Sequence, residues 1–288
     1  ADATNPEAVS AVFTAKQRPL DHPLIVHIGK VEQMAEWVSD IPADARILAD
    51  AFWPGPLTML LNKAPDVTSL VTGGLGTIGL RLPDQPLVLQ LLRSSGLALA
   101  APSANPYKQL SPTSASQVLE KLDGKIDAVL DGGECAVGLE STIVDLTGDQ
   151  IRILRAGPIT ASEISSVLNK PVTTPGKHRV SVPGNIDQHY QPGTPLRLAT
   201  RDEMLARLQE TDGEEAFVVL AGFPAESIRN HSNVVIMPES KTACARVLYK
   251  TLHDLDRQNL RRIWFELPPQ SEAWLDVNDR LRRASVQG

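Results

Sequence analysis

The stretch Leu97 to Thr113, LALAAPSANPYKQLSPT, decides how this chain is read. Its opening apolar run, Leu97-Ala98-Leu99-Ala100-Ala101, is bounded by Gly96 and Pro102 and has the length and composition of a buried strand. Ser103, Ala104, Asn105 and Pro106 then break the run with a hydroxyl, an amide and a second proline. In an open α/β sheet, a buried strand that ends in small polar residues ends where ligands sit. Small side chains let a ligand approach the backbone, and Ser and Asn offer hydrogen bonds without a charge to desolvate. Ser111-Pro112-Thr113 reads as the cap of a helix over Ser114 to Leu122. On this stretch alone an ordinary strand–turn–helix connection is the plainer reading, and the rest of the chain shifts the balance.

The chain has 288 residues, enough for two domains. At 42% hydrophobic and 22% charged it can bury a core of ordinary size. Aromatic residues are only 4%, so the core is aliphatic and stacking platforms for single-stranded nucleic acid are not expected. The net charge of −6 lies wholly within residues 1–172, so contact with a polyanion must come from a local basic cluster. Cys135 and Cys244 are too few for a disulfide framework or a zinc site, which points to a reducing, cytoplasmic setting. No apolar run is long enough to span a bilayer and no signal peptide is seen, so no membrane role is expected. The start at Ala1, without Met and at the lead-in to a helix, suggests a natural beginning further upstream.

Asn5-Pro6-Glu7 signals a helix start, with Val9, Val12 and Phe13 as its apolar face, and Pro19 stops the helix after Lys16-Gln17-Arg18. Lys16 and Arg18 are either a solvated, dipole-compensating helix end or a phosphate clamp. Pro23 to Ile28 is a buried strand carrying His27, a core histidine or a ligand. Helical patterns cover Val31–Val38 and Ala43–Phe52, and Trp53-Pro54-Gly55-Pro56 turns into a strand at Leu57–Leu61. Gly73-Gly74-Leu75-Gly76 lacks the Lys-Ser/Thr of a phosphate loop and reads as a flexible turn before a strand at Thr77–Leu82. Arg81 puts a charge in that strand and so needs an anion, either a structural partner or a ligand. A helix at Leu87–Arg93 returns to the opening stretch. Further strands are expected at Ala128–Asp131, Glu140–Asp145 and Ile151–Pro158, with Cys135 structural and Arg155 at a strand end. A helix from Thr160, capped with Glu163, closes the first domain near Lys170.

Residues 173–195 form a Pro/Gly-rich linker that also carries His178, Arg179, His189 and Tyr190. Beyond it helices at Glu203–Leu208, Thr242–Leu255 and Ala273–Arg283 alternate with strands at Ala216–Leu220, Val234–Met237 and Ile263–Leu267. That is a small parallel α/β domain. Arg280, Arg282 and Arg283 read as a solvated basic end. The boundaries expected are 1–172, 173–195 and 196–288.

The segments Lys16-Gln17-Arg18-Pro19, His22 to His27, Pro54-Gly55-Pro56-Leu57-Thr58, Arg81-Leu82-Pro83, Pro102-Ser103-Ala104-Asn105, Ser111-Pro112-Thr113, Gly138-Leu139-Glu140-Ser141-Thr142 and Leu154-Arg155-Ala156-Gly157 resemble the YrdC family, in its order and approximate spacing. With His189-Tyr190-Gln191-Pro192 and a second α/β domain, nearly the whole chain resembles the two-domain form, the threonylcarbamoyl-AMP synthases. The resemblance implies an α/β fold: a YrdC-like twisted mixed sheet with a cleft, plus a smaller Rossmann-like parallel C-terminal domain. It implies that L-threonine, bicarbonate and ATP, the last with Mg2+, give threonylcarbamoyl-AMP and pyrophosphate. The product would pass to the tRNA threonylcarbamoyl transferase machinery, with direct tRNA binding left open.

By resemblance Lys16, Arg18, Ser103 and Asn105 are catalytic. Arg18, His22, Thr77, Ser103, Ser111, Arg155, His189 and Tyr190 bind ATP, and His27, Arg81, Ala101 and Ser141 bind threonine. The linker would close over the site as a lid. The family's opening Pro-Thr-Glu-Thr-Val-Tyr-Gly-Leu is absent and would end just before Ala1. The linker at Pro183 to His189 lacks the usual Met and Arg. Two other readings are a non-catalytic RNA-binding or ribosome-associated factor of the same fold, and an inactive fragment.

Overall fold

Successive side chains of a strand point to opposite faces, so each strand of the first unit gives one set to each face of a sheet. The computed structural model describes residues 1–176, 180–184 and 189–285. The first unit comprises residues 1–107, 114–134 and 140–184, the second 108–113, 135–139 and 189–285.

In the first unit the strands are β1 (Ile25–His27), β2 (Leu57–Asn62), β3 (Thr77–Arg81), β4 (Leu99–Ala100), β5 (Thr142–Asp145), β6 (Ile151–Arg155) and β7 (Val172–Thr173). They form one mixed sheet in the order β4-β1-β3-β2-β5-β6-β7. The pairs β1–β3, β2–β5 and β6–β7 are parallel, while β1–β4, β2–β3 and β5–β6 are antiparallel. The helices are α1 (Pro6–Lys16), α2 (Met34–Trp37), α3 (Ala43–Phe52), α4 (Ser69–Thr72), α5 (Pro86–Ser95), α6 (Ala115–Leu122) and α7 (Ala161–Leu168). Val9 and Phe13 of α1, Leu48 of α3 and Ile164 of α7 join Val26, Met59, Leu80, Val144 and Ile153 in one large core.

The opposite face is thinly covered. Among the described residues Ile25, Leu60, Ile143 and Leu154 cluster there with Val182 and, partly, Val180 from the segment after β7. That face is where the polar strand residues emerge.

The second unit holds a four-stranded parallel sheet in the order β10-β9-β11-β8: β8 (Leu196–Ala199), β9 (Glu215–Val219), β10 (Val234–Ile236) and β11 (Arg262–Glu266). Both of its faces are buried, as a parallel sheet requires. Met204 and Leu208 of α8 (Arg201–Glu210) cover Phe217 and Val219, and a short α9 (Ala225–Ile228) follows β9. Leu248 and Leu252 of α10 (Lys241–Asp256) and Leu281 of α11 (Leu275–Ser285) cover Val218, Ile263 and Phe265. Leu110 and Leu139 belong to this second core.

The mixed sheet and the smaller parallel sheet are the architecture expected. Asn5 caps α1 through Glu7 and Ala8, and Thr160 and Glu163 form the expected capping box. Four local expectations are corrected. Ala128–Asp131 is not a strand: Leu130 is 55% exposed and no strand pairs with the segment. The cap of α6 is Ser114, whose hydroxyl accepts from Gln117 N, so Ser111-Pro112-Thr113 lies before the helix. Cys135 is exposed, whereas Cys244 is buried. Arg280 and Arg283 are buried, because the Asp279 carboxylate accepts from Arg280 Nη1 at 2.8 Å and Arg283 Nε at 3.0 Å, and Tyr190 covers Arg280. Among the described residues four elements were not anticipated: α4, β7, β8 and α9. His178 and Arg179 lie outside the described residues.

Candidate functional site

Strand alternation puts His27, Thr58, Thr77, Arg81 and Ser141 on the thinly covered face, each an even number of residues from Ile25, Leu60, Gly79 or Ile143. His27 and Arg81 are register partners on adjacent parallel strands. Arg81 Nε donates to Gly55 O at 3.0 Å, and its Nη2 lies 3.9 Å from Asp84. Burial, with the Arg81 charge adding to it, pushes the His27 imidazole down to about 3. His27 is therefore neutral throughout the physiological range, and its buried Nδ1 has no hydrogen-bond partner among the described residues. Ala101 N donates to Ile25 O at 3.2 Å, which holds the end of the opening stretch against β1.

A second cluster joins three strands. Ser141 Oγ lies 2.7 Å from Thr58 Oγ1 and accepts from Arg155 Nη2 at 2.9 Å. Arg155 Nε donates to Ser141 O at 3.0 Å and Nη1 to Pro183 O at 3.1 Å. Arg155 thus fastens Ser141 on one side and the segment after β7 on the other. That segment, Ser181-Val182-Pro183, lies over Ile25, Thr58, Leu60, Thr77, Gly79 and Ile143, leaving a cavity of only about 10 Å³. A close backbone approach fixes Ser141 from behind: a Cβ on Gly157 would lie 2.2 Å from Thr142 N and 2.6 Å from Ser141 C.

The third cluster sits at the end of α1. Gln17 takes the left-handed conformation (φ 54°), its N–H capping Phe13 and Thr14, and this ends the helix between Lys16 and Arg18. Lys16 Nζ donates to Ser103 O and Asn105 O, each at 2.5 Å, and to Asn105 Oδ1 at 3.3 Å. Arg18 Nη2 donates to Pro23 O at 2.8 Å. Tyr107 N donates to Lys16 O, and the Tyr107 hydroxyl lies 3.4 Å from His22 Nδ1. Burial first, and Arg18 second, push the Lys16 ammonium down from 10.5 to about 7.

That shift has a measurable sign. Near pH 7.5 the Lys16 ammonium is only partly charged, and an anion bound against it raises its pKa, so binding takes up a proton. Calorimetry of ATP binding in buffers of different ionisation enthalpy is expected to show uptake of up to about 0.8 proton at pH 7.5. The uptake should vanish near pH 6, where Lys16 is already charged, and in Lys16→Met. Wild-type binding without proton uptake at pH 7.5 would contradict the assignment.

The structure therefore brings together Lys16, Arg18, His22, Ser103 and Asn105, pairs His27 with Arg81, and joins Arg155 to Ser141 rather than separating them. Ser111, His189 and Tyr190 fall in the second unit. Ser111 O lies 3.3 Å from His253 Nε2. Tyr190 is 1% exposed inside the second core, 5.7 Å from the Tyr249 ring and edge-on to His189 at 4.0 Å. Tyr190 is thus an anchored residue. The sequence reading missed Thr58, Tyr107, Gly157 and Pro183 as site residues. Thr58 had a visible signal, a hydroxyl inside an otherwise apolar strand, whereas the others reveal themselves only through tertiary contacts. Among the described residues no helix is long and apolar enough to cross a membrane.

Known proteins are similar to this chain. The Sua5/YciO/YrdC family, described as telomere recombination, matches residues 1–157. The family described as threonylcarbamoyl-AMP synthase, C-terminal domain, matches residues 159–286. The threonylcarbamoyl-AMP synthase of Pyrococcus abyssi is 36% identical over 99% of this chain and 86% of its own length. That of Bacillus subtilis is 35% identical over 99% and 85%, and that of Schizosaccharomyces pombe 31% over 99% and 81%. The crystal structure of P. abyssi Sua5 complexed with L-threonine superposes with a TM-score of 0.88 at 35% identity, covering 99% of this chain and 86% of that one.

Proposed function

This chain belongs to the Sua5/YciO/YrdC family of threonylcarbamoyl-AMP synthases, and from that membership we propose that it converts L-threonine, bicarbonate and ATP to threonylcarbamoyl-AMP and pyrophosphate, for modification of a tRNA adenosine. One observation carries the reading. A single unit holds a carboxylate anchor, Arg81 beside neutral His27, and a separate basic cluster suited to phosphates, Lys16 on Ser103 and Asn105 with Arg18 on Pro23.

The chemistry needs no protein nucleophile. The threonine amine attacks bicarbonate, the N–C bond forms and water leaves, giving a carbamate. A carbamate oxygen then attacks the α-phosphorus of ATP as the bond to the β-phosphate oxygen breaks, releasing pyrophosphate. Positioning and charge neutralisation supply the rate. Arg81 takes the amino-acid carboxylate, and His27, uncharged, offers a neutral hydrogen bond without adding a second cation beside the amine. Ser141 and the Ala101 backbone complete the amino-acid side.

Lys16, Arg18, Arg155, Ser103 and Asn105 take the nucleotide, with His22 and Thr77 assigned to the same side. Mg2+ on the triphosphate would neutralise charge on the leaving pyrophosphate. The donors assigned here are cationic or neutral, which fits a cation carried by phosphates rather than by a protein cluster. Val180 to Pro183 is the part of the linker that lies over the amino-acid face. Its Arg155–Pro183 bond is the latch that entering substrate exchanges for its own. His189 and Tyr190 anchor the far end of the linker. The product passes to the machinery that transfers the threonylcarbamoyl group to tRNA.

Incubation with ATP, threonine and labelled bicarbonate tests the reaction. Label is expected in an adenylate with the mass of threonylcarbamoyl-AMP, and only when threonine is present. Label absent from every nucleotide would overturn the reading.

A further inference from the structure

Thr58 is completely buried, and among the described residues the one hydrogen-bond partner of its hydroxyl is Ser141 Oγ, 2.7 Å away. Ser141 Oγ also accepts from Arg155 Nη2. A hydroxyl has one proton to give and two lone pairs to fill, and a guanidinium can only donate. If Ser141 gave its proton to Thr58, the Thr58 proton would be buried without an acceptor, which folded proteins avoid. The opposite direction satisfies Thr58 and leaves only the Ser141 proton without an acceptor among the described residues, a role that an anionic substrate oxygen fills. Steric packing holds Thr58 in place for it: a Cβ on Gly79 of the neighbouring strand would lie 3.3 Å from Thr58 Cγ2. Thr58 also lines the small cavity beneath Ser181-Val182-Pro183, on the face that carries His27 and Arg81.

We infer that Thr58 is a positioning residue that donates to Ser141, so that Ser141, already accepting twice, turns its own proton toward an anionic oxygen of the amino-acid substrate. The inference rests on the proposed function for the identity of that substrate. It assigns Ser141 as a donor to a carboxylate or carbamate oxygen and not as an acceptor for the ammonium group. Thr58 itself touches no substrate. It sets the direction of a hydrogen-bond chain running Thr58 to Ser141 to substrate, with Arg155 closing the second lone pair.

The test uses the full chain with Thr58→Val, which keeps the shape and removes the hydroxyl, and Thr58→Ser, which restores it. Threonine binding is measured by calorimetry without ATP, and the KM values for threonine and ATP are measured by pyrophosphate release. Thr58→Val is expected to weaken threonine about tenfold in both Kd and KM, leave the ATP KM within about twofold, and be rescued by Thr58→Ser to within about twofold of wild type. Wild-type threonine affinity in Thr58→Val, equal weakness in Thr58→Ser, or an equal rise in the ATP KM would overturn the inference. If Thr58→Val fails to fold, Thr58→Ala against Thr58→Ser makes the same comparison. A wild-type chain that binds threonine but releases no pyrophosphate overturns the proposed reaction alone, and calorimetry still decides the role of Thr58. A chain that does not bind threonine overturns both.

Discussion

Arg155→Ala is expected to lower kcat/KM by on the order of 10³-fold, about 4 kcal/mol of transition-state stabilisation. The side chain is 7% exposed and spends its donors on Ser141 O, Ser141 Oγ and Pro183 O. Charge-assisted bonds of this kind contribute roughly 1.5–3 kcal/mol each. Its removal takes a cation from the phosphates and lets the Ser141 hydroxyl turn away from the amino acid. It also releases the latch on Pro183. The defect should therefore appear toward threonine and ATP alike, unlike Arg81→Ala, which should chiefly raise the threonine KM. Limited proteolysis should cleave within residues 173–195 faster in Arg155→Ala than in wild type. An ATP-only defect with unchanged cleavage would show that Arg155 serves the nucleotide alone.

Gly157→Ala is expected to be nearly as damaging, for a steric reason. The added methyl would lie 2.2 Å from Thr142 N and 2.6 Å from Ser141 C, both backbone atoms. Thr142 cannot yield easily, because its N donates to Pro56 O at 3.0 Å and its hydroxyl is bonded to Ile159 O at 2.7 Å and Ile159 N at 3.0 Å. Forcing an atom into a packed interior costs about 3 kcal/mol. For a unit of this size that lowers the melting temperature by about 10 °C. Because the displaced atoms carry Ser141, threonine affinity should fall even at temperatures where the variant is folded. Unchanged melting and unchanged threonine KM would mean that the Gly157 approach does not hold Ser141.

How much of this was legible in the sequence depended on the range of the interaction. Asn5 and the Thr160–Glu163 box are local devices, and both cap the helices they were read to cap. His27 and Arg81 were visible as polar interruptions of apolar strands, and the period of two puts both on one face once their strands are paired. The pairings themselves were not legible. Lys16 meets Asn105 across 89 residues and Thr58 meets Ser141 across 83, and nothing in either neighbourhood names the other.

The same limit explains the errors. Ala128–Asp131 has a strand's composition, but a strand needs a neighbour, and the sheet offers it none. The arginines after Asp279 look solvated in sequence, yet Asp279 and Tyr190, 89 residues apart in the chain, make two of them buried. Tyr190 was expected to face nucleotide from the linker, and it is packed in the second core instead. The residues proposed to contact substrate were the readable part. Behind them Thr58 showed as a hydroxyl in an apolar strand, whereas the roles of Gly157 and Pro183 came only from tertiary contacts.

The central claim is that one unit binds an amino acid through Arg81 and a triphosphate through Lys16 and Arg18 and joins them through bicarbonate. Pyrophosphate release from ATP, with threonine and bicarbonate added separately and together, tests it most directly. Release is expected only when both are present, with Arg81→Ala restoring it at high threonine and Lys16→Ala restoring it at high ATP. Equal release without threonine, or without bicarbonate, would contradict the claim.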